Sequence, residues 1–163
     1  MLRDTELRPA TDEHFAAMID GKAPISTLRI PPNGVDDPAI LELVRRGASD
    51  MLQIGVQGSW MMVAEGEVVG LCGFKRIPSP EGSVEIGYGV APERRRRGYA
   101  TEAVHLLIAE ARDLGVHVVK AETETSNKAS ERVLERNQFR AVGRREVDGE
   151  TFREWELRLV ENR

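Results

Sequence analysis

The sequence has few of the features that cross-link a small protein or insert it into a membrane. It has a single cysteine, Cys72, so no disulfide can form within the chain, and this favours a reducing compartment. Its longest apolar runs, WMMVA and VVGLCGF, are far too short to span a bilayer, and the N-terminal residues lack the apolar core of a signal peptide. We therefore expect a cytoplasmic protein with no membrane partner.

The chain also lacks an excess of positive charge, with 23 Lys and Arg against 27 Asp and Glu. The net charge is −4 at pH 7. Proteins that bind the phosphates of nucleic acid present a basic face, so we expect no nucleic-acid partner. The three histidines and Cys72 do not have the spacing of a zinc site, and we expect no metal. A length of 163 residues with 40% hydrophobic residues is typical of one globular domain, which we place at 1–163.

Apolar patterns and turn signals predict the order strand, two helices, three strands, helix, strand, helix and two strands. Strands that follow one another through short turns, such as Asp148-Gly149, pair antiparallel, whereas the strand-helix-strand unit at 84–124 implies one parallel crossover. These features predict an α/β fold with a mixed, largely antiparallel sheet and helices on its faces. Three of the predicted helices cover residues 38–48, 98–114 and 127–137.

The densest positive charge lies in PERRRRGYATEA, between a predicted strand and a predicted helix. The first N–H groups of a helix lack partners and carry partial positive charge, which suits a phosphate. Gly98 lets the backbone approach a ligand closely, and arginines can pair with phosphate oxygens. A Walker loop and a dinucleotide fingerprint both fit worse. The placement favours a diphosphate site over a solvated run or a nucleic-acid patch.

Three blocks in register resemble the GNAT acyltransferases. Arg95, Gly98 and Ala100 match motif A, [Gln/Arg]-x-x-Gly-x-[Gly/Ala] after a strand. ETETSNKASERVLERNQF resembles the next strand and helix of the family, with its Asn-x-x-Ser. VEIGYGV resembles the preceding strand in the branch that includes the ribosomal-protein N-acetyltransferases. The blocks cover about a third of the chain, residues 84–139.

The resemblance implies an acetyl-CoA-dependent N-acetyltransferase that acts on a primary amine, in a protein N-terminus or a small molecule, by direct attack in a ternary complex. By the same resemblance, the turn from Arg95 to Thr101 binds the pyrophosphate, and the strand end Tyr88-Gly89-Val90 pairs with the pantetheine arm. Asn127 and Ser130, at the start of the helix predicted at 127–137, contact the cofactor or hold that helix in place. Helix capping is the structural alternative for those two. The implied cofactor-binding residues are Tyr88, Gly89, Val90, Arg95, Arg96, Arg97, Gly98, Tyr99, Ala100, Thr101, Asn127 and Ser130.

The attacking amine must be neutral, and a lysine-type amine has a reference pKa of about 10.4, so a base helps. Glu85 is the candidate base, acting directly or through a water, because strand alternation places it on one face with Gly87 and Gly89. A carboxylate bound to a neighbouring strand or to solvent is its alternative interpretation. The Val90 N–H is the candidate oxyanion donor.

Two positions depart from the family pattern. Leu134 stands where many members have an acid tyrosine, which leaves the proton donor open and keeps a non-catalytic acyl-CoA-binding or sensor module as the alternative function. Gln138 stands where the family usually has glycine, and we expect Asn137 to adopt the left-handed cap instead. Tyr88 is expected in the core. The sequence leaves the acceptor and the oligomeric state open, and it is compatible with a homodimer.

Overall fold

The computed structural model describes residues 4–159, and the predicted order of elements is confirmed there. Val160, the last residue of the predicted C-terminal hairpin, lies outside these residues. A short 3-10 turn, Pro92–Arg94, precedes α3. The strands and helices are β1 Thr5–Pro9, α1 Asp12–Ile19, α2 Pro38–Gln53, β2 Ser59–Ala64, β3 Glu67–Phe74, β4 Ser83–Val90, α3 Tyr99–Asp113, β5 Val118–Glu124, α4 Lys128–Arg136, β6 Arg140–Val147 and β7 Glu150–Arg158.

The strands form one mixed sheet in the order β1-β2-β3-β4-β5-β7-β6, which confirms the predicted fold class. Every neighbouring pair is antiparallel except β4 and β5. That parallel pairing runs only from Ser83 opposite Val118 to Glu85 opposite Lys120. The rest of β4 therefore continues to Val90 without β5 beside it, and the two strands diverge at the centre of the sheet.

Helices cover both faces of the sheet, and each face has its own core. Ala103, Val104 and Leu107 of α3 pack with Trp60 and Met62 of β2. On the other face, residues of α1 and α2 pack with Met61 and Val63, which alternate with them along the same strand. Every residue of β2 is buried because both of its faces are covered.

The second helix is longer than the sequence predicts. The apolar stripe in the sequence predicts a helix that ends at residue 48, whereas α2 continues to Gln53. Met51 extends the buried stripe formed by Leu41 and Ala48, and it is only 2% exposed. Gly47 therefore lies inside the helix, because the packing of the turn that follows outweighs the weak helix propensity of one glycine.

The end of α4 also departs from expectation. Gln138, rather than Asn137, has the left-handed backbone, with φ +68° against −97° at Asn137. The side-chain amide of Asn137 donates to the carbonyl oxygens of Thr101 at 3.1 Å and Val133 at 3.0 Å. Because these bonds tie Asn137 to α3 and to its own helix, the left-handed conformation falls on the residue that follows.

Replacing Gln138 with glycine should stabilise the protein. A left-handed backbone costs a non-glycine residue about 1–2 kcal/mol, and the added freedom of glycine in the unfolded chain offsets about 0.4–1 kcal/mol of that. We expect a net gain of about 0.5–1 kcal/mol and a melting temperature higher by about 2 °C, measured by calorimetry. The matched control, Gln138→Ala, keeps the strain and should leave the melting temperature nearly unchanged. Equal stability of the two variants would contradict the argument.

No helix within residues 4–159 is long and apolar enough to cross a membrane.

Candidate active site

A cleft of about 640 Å³ opens where β4 diverges from β5. All of the residues predicted to bind a cofactor line it, although they come from β4, the turn before α3, the first residues of α3 and the start of α4. Sequence reasoning missed Ala129, Arg132, Val133 and Arg136 of α4, which also line the cleft. The spacing of Arg132 and Arg136, one helical turn apart and just after Ser130, is the signal that could have identified them.

The turn before α3 has an unusual backbone. Arg96 and Gly98 both have positive φ, +64° and +84°. Gly98 is the residue that precedes the helix, and it offers no side-chain cap to the first turn. The N–H groups of Ala100 and Thr101 are therefore left to a ligand or to solvent. Gly98 lines the cleft, and a Cβ there would meet no protein atom within 4 Å.

The four arginines of this turn have different surroundings. Arg94 donates through Nε and Nη2 to the two carboxylate oxygens of Glu67, at 2.6 and 3.1 Å. This pair ties the turn to the start of β3. Arg95 donates through Nε to the Val90 carbonyl oxygen at 3.2 Å. The side chains of Arg96 and Arg97 are exposed at the rim of the cleft, where they provide positive charge.

Tyr88 is not simply a core residue, as the sequence suggests. Its ring packs against the core beneath α3, but its hydroxyl reaches the cleft. The phenolic oxygen lies 2.8 Å from the Ser130 hydroxyl and donates to the Ser130 carbonyl at 3.2 Å. Burial raises the pKa of Tyr88 to about 12, so the phenol is neutral at pH 7. Tyr88 therefore joins β4 to α4 across the cleft.

The first turn of α4 is held by its own cap. The side-chain oxygen of Asn127 accepts from the Ser130 N–H at 3.1 Å, so the structural role expected for Asn127 is present. Leu134, one turn further along, is fully buried in the core. At the position of the family's tyrosine, α4 thus presents no hydroxyl to the cleft.

Glu85 lies on the opposite face of β4, in the direction of α1 and α2. The side chain is 19% exposed, and its nearest cation is Arg76, at 4.0 Å between Nη2 and Oε2. Gly87 and Gly89 share this face by alternation. Leu71, which pairs with Gly89, packs in the core beneath α1 and α2. The two glycines leave the strand surface open beside Glu85.

Two side chains from other elements reach this open face. A Cβ at Gly87 would lie 3.3 Å from Cε of Lys75, and a Cβ at Gly89 would lie 3.6 Å from Oδ2 of Asp36. Asp36 belongs to the loop between α1 and α2. Nothing in its local sequence marks it as a site residue, because only the fold brings that loop to β4.

Residues 4–140 match the family described as "Acetyltransferase (GNAT) domain". The chain belongs to this family. Uncharacterized N-acetyltransferase YjdG of Bacillus subtilis is 36% identical over 85 residues, which are 50% of this chain and 50% of that protein. The chain thus spans about half the length of the curated relatives it matches.

Solved structures of GNAT acetyltransferases share the fold. RimL, a ribosomal L7/L12 alpha-N-protein acetyltransferase in complex with coenzyme A, has a TM-score of 0.71 at 20% identity, covering 95% of this chain and 94% of that one. The putative acetyltransferase yncA of Salmonella typhimurium, with acetyl-CoA, has a TM-score of 0.68 at 20% identity, covering 97% and 95%. The predicted resemblance to the GNAT family is confirmed.

No group of three or more His, Cys, Asp or Glu within residues 4–159 could hold a metal ion.

Proposed function

We propose that this protein is an acetyl-CoA-dependent N-acetyltransferase that acts on a primary amine, in a protein N-terminus or a small molecule. The observation that carries the proposal is the cleft. It brings together the turn from Arg94 to Gly98, called here the phosphate-type turn, the end of β4 from Tyr88 to Val90, and the start of α4. Glu85 lies on the other face of the same strand. The coenzyme A and acetyl-CoA named with RimL and yncA support the choice of donor substrate.

The donor substrate fits the cleft in charge and in hydrogen bonding. Backbone N–H groups of the turn from Arg95 to Thr101 would bind the diphosphate, and nearby guanidinium groups would balance its charge. The part of β4 beyond Glu85, from Tyr88 to Val90, has no strand partner on the β5 side. Backbone groups on that side would pair with the amides of the pantetheine arm, as one strand pairs with another, although the Val90 carbonyl already accepts from Arg95.

Glu85 would take a proton from the acceptor ammonium, directly or through a water. The neutral nitrogen attacks the thioester carbon and forms the C–N bond, while the Val90 N–H donates to the oxyanion. The C–S bond then breaks. The nitrogen then passes its second proton through solvent to the leaving thiolate, and Glu85 releases the first proton to solvent.

The Tyr88 hydroxyl would stabilise that thiolate by turning its hydrogen bond from the Ser130 carbonyl to the sulfur, and the Ser130 hydroxyl would add a second hydrogen bond. A thiol has a reference pKa of about 8.5, well below the pKa of about 12 for Tyr88, so the phenol donates a hydrogen bond but keeps its proton. A hydrogen bond to a charged group is worth about 1.5–3 kcal/mol. Tyr88→Phe should therefore lower kcat about tenfold and leave the Kd for acetyl-CoA unchanged. An unchanged kcat, measured at saturating substrates, would remove Tyr88 from this role.

A non-catalytic acyl-CoA sensor on the same fold is the second candidate, and the burial of Leu134 at the usual tyrosine position favours it. For either function, acetyl-CoA at about 100 times its Kd should stabilise the protein by about 2.7 kcal/mol. Absence of a thermal shift at millimolar acetyl-CoA would contradict both. Release of free CoA thiol is then followed across a panel of small amines and N-terminal peptides. Turnover of any amine supports the enzyme, and silence across the whole panel supports the sensor.

The single continuous sheet supports the further proposal that residues 1–163 form one domain. Limited proteolysis tests this directly, because stable fragments cut between β3 and β5 would contradict it.

A further inference from the structure

We propose that Asp36 binds the positively charged amine of the acceptor and thereby selects acceptors that arrive as ammonium ions. The inference rests on the proposed function and names the group that would hold the second substrate. Asp36 is then a specificity-determining residue on the acceptor side of β4, opposite the face that carries Tyr88.

The carboxylate of Asp36 is exposed, and one of its oxygens is bound to the backbone of the next residue. Its Oδ1 accepts from the N–H of Asp37 at 2.7 Å. Its Oδ2 is the nearest protein atom to the position that a Cβ would take at Gly89, at 3.6 Å. With Oδ1 bound to the backbone, Oδ2 lies over the part of the strand where glycine leaves room. Gly89 precedes Val90, whose N–H is the proposed oxyanion donor, so Oδ2 lies beside the place proposed for the thioester.

The loop that carries Asp36 is fixed to the body of the protein. The Arg29 N–H donates to the Gly66 carbonyl at 2.8 Å, and the Val68 N–H donates to the Arg29 carbonyl at 2.9 Å. Val35, directly before Asp36, is 3% exposed and packs in the core beneath α1 and α2. Asn33 donates to the Glu93 carboxylate at 3.2 Å, next to the phosphate-type turn. These contacts fix the height of Asp36 above β4.

Asp36 forms no ion pair with the described part of the chain. Within residues 4–159, no lysine or arginine side chain lies within 4.0 Å of its carboxylate oxygens. By contrast, the carboxylate of Glu67, at the start of β3, is paired with Arg94 of the turn before α3. The side chain of Lys75 crosses the same face over Gly87, two residues further from the thioester. An ammonium ion that enters beside Gly89 therefore meets an available carboxylate.

The two carboxylates of this face have separate tasks. Glu85 and Gly89 are four residues apart on an extended strand, which corresponds to about 13 Å. Asp36 therefore meets the strand at Gly89, well beyond the backbone position of Glu85 and nearer to the place proposed for the thioester. Asp36 is the group placed to hold the amine near the thioester, and Glu85 would receive its proton through a water.

Asp36→Asn tests the inference against Asp37→Asn, which removes the same charge one residue away. The Asp37 Oδ1 accepts from the Ala39 N–H at 2.8 Å and caps α2, a role that asparagine also fills. The assay uses the best amine from the panel and, in parallel, an arylamine that is uncharged at the assay pH. Wild-type turnover of either one establishes the proposed function before the variants are compared.

For the charged amine, Asp36→Asn should raise KM about tenfold with kcat within about twofold, and Asp37→Asn should leave KM unchanged. KM for the arylamine and the Kd for acetyl-CoA should be the same in all three proteins. An unchanged KM for the charged amine would overturn the inference while leaving the proposed function intact. A fall in kcat at constant KM would overturn it too, because Asp36 would then act on the proton rather than on binding.

Discussion

Replacing Gly98 with valine is expected to weaken acetyl-CoA binding about 100-fold, which corresponds to about 2.7 kcal/mol. The backbone of Gly98 has φ +84°, a conformation in which a β-branched residue is strongly disfavoured. Gly98 lines the cleft, so the added side chain would also take up space beside the ligand. A change of φ that relieves the strain would move the N–H groups of the turn away from the diphosphate. Isothermal titration calorimetry measures the change in Kd.

Gly115 offers a matched control at the other end of α3. It also has positive φ, +78°, and a Cβ there would likewise meet nothing within 4 Å. Gly115→Val should therefore lower the melting temperature about as much as Gly98→Val and leave the Kd for acetyl-CoA unchanged. Arg94→Ala should weaken binding less than Gly98→Val, because the Arg94 guanidinium is bound to Glu67. Equal losses of affinity in Gly98→Val and Gly115→Val would show that strain alone, and not the ligand site, explains the result.

Glu85→Gln is expected to lower kcat about 100-fold at neutral pH, in line with the usual contribution of a general base. The substitution keeps the size of the side chain and removes its ability to take a proton. The Kd for acetyl-CoA should not change, because Glu85 lies on the face of β4 opposite the cleft-lining Tyr88. Initial rates of CoA thiol release at saturating substrates, measured from neutral to alkaline pH, check this. The loss should shrink at alkaline pH as more of the amine becomes neutral by itself.

Glu156 provides the control for charge. Glu85 pairs with Lys120 across β4 and β5, and Lys120 pairs with Glu156 across β5 and β7. Glu156 therefore shares the face of the sheet with Glu85 but is two strands away. Glu156→Gln should leave kcat within about twofold of the wild type. A similar loss of kcat in both variants would indicate that the negative charge on this face of the sheet, rather than a base at Glu85, accounts for the effect.

Local chemistry in the sequence was enough to predict most of the scaffold. The hairpin turn at Asp148-Gly149 connects β6 and β7 as expected, because φ is positive at both residues of such a turn. The phosphate-type turn could be predicted because its strand, glycine and helix are consecutive in the chain. Alternation along β4 separated Glu85 from Tyr88 for the same reason.

Predictions were wrong where a distant contact outweighed a local preference. Asn137 has the side chain that best tolerates a left-handed backbone, yet its amide bonds to Thr101 of α3, and Gln138 takes that conformation. The helix stripe of α2 continues to Met51 because that side chain is buried in the core that also contains Trp60 and Phe74, whereas Leu41 and Ala48 are buried in the other core. Neither contact has a signal in the neighbouring residues.

The sequence by itself determined the order of the elements, the sheet type and the arginine-glycine turn, because each depends on residues within a few positions of one another. Only the tertiary structure decided which groups meet across the sheet. It carries the Tyr88 hydroxyl to Ser130 through the divergence of β4 and β5, and it carries Asp36 to Gly89 through the contacts of an irregular loop. Such pairs join residues more than 40 positions apart, and only the closure of the core brings them together.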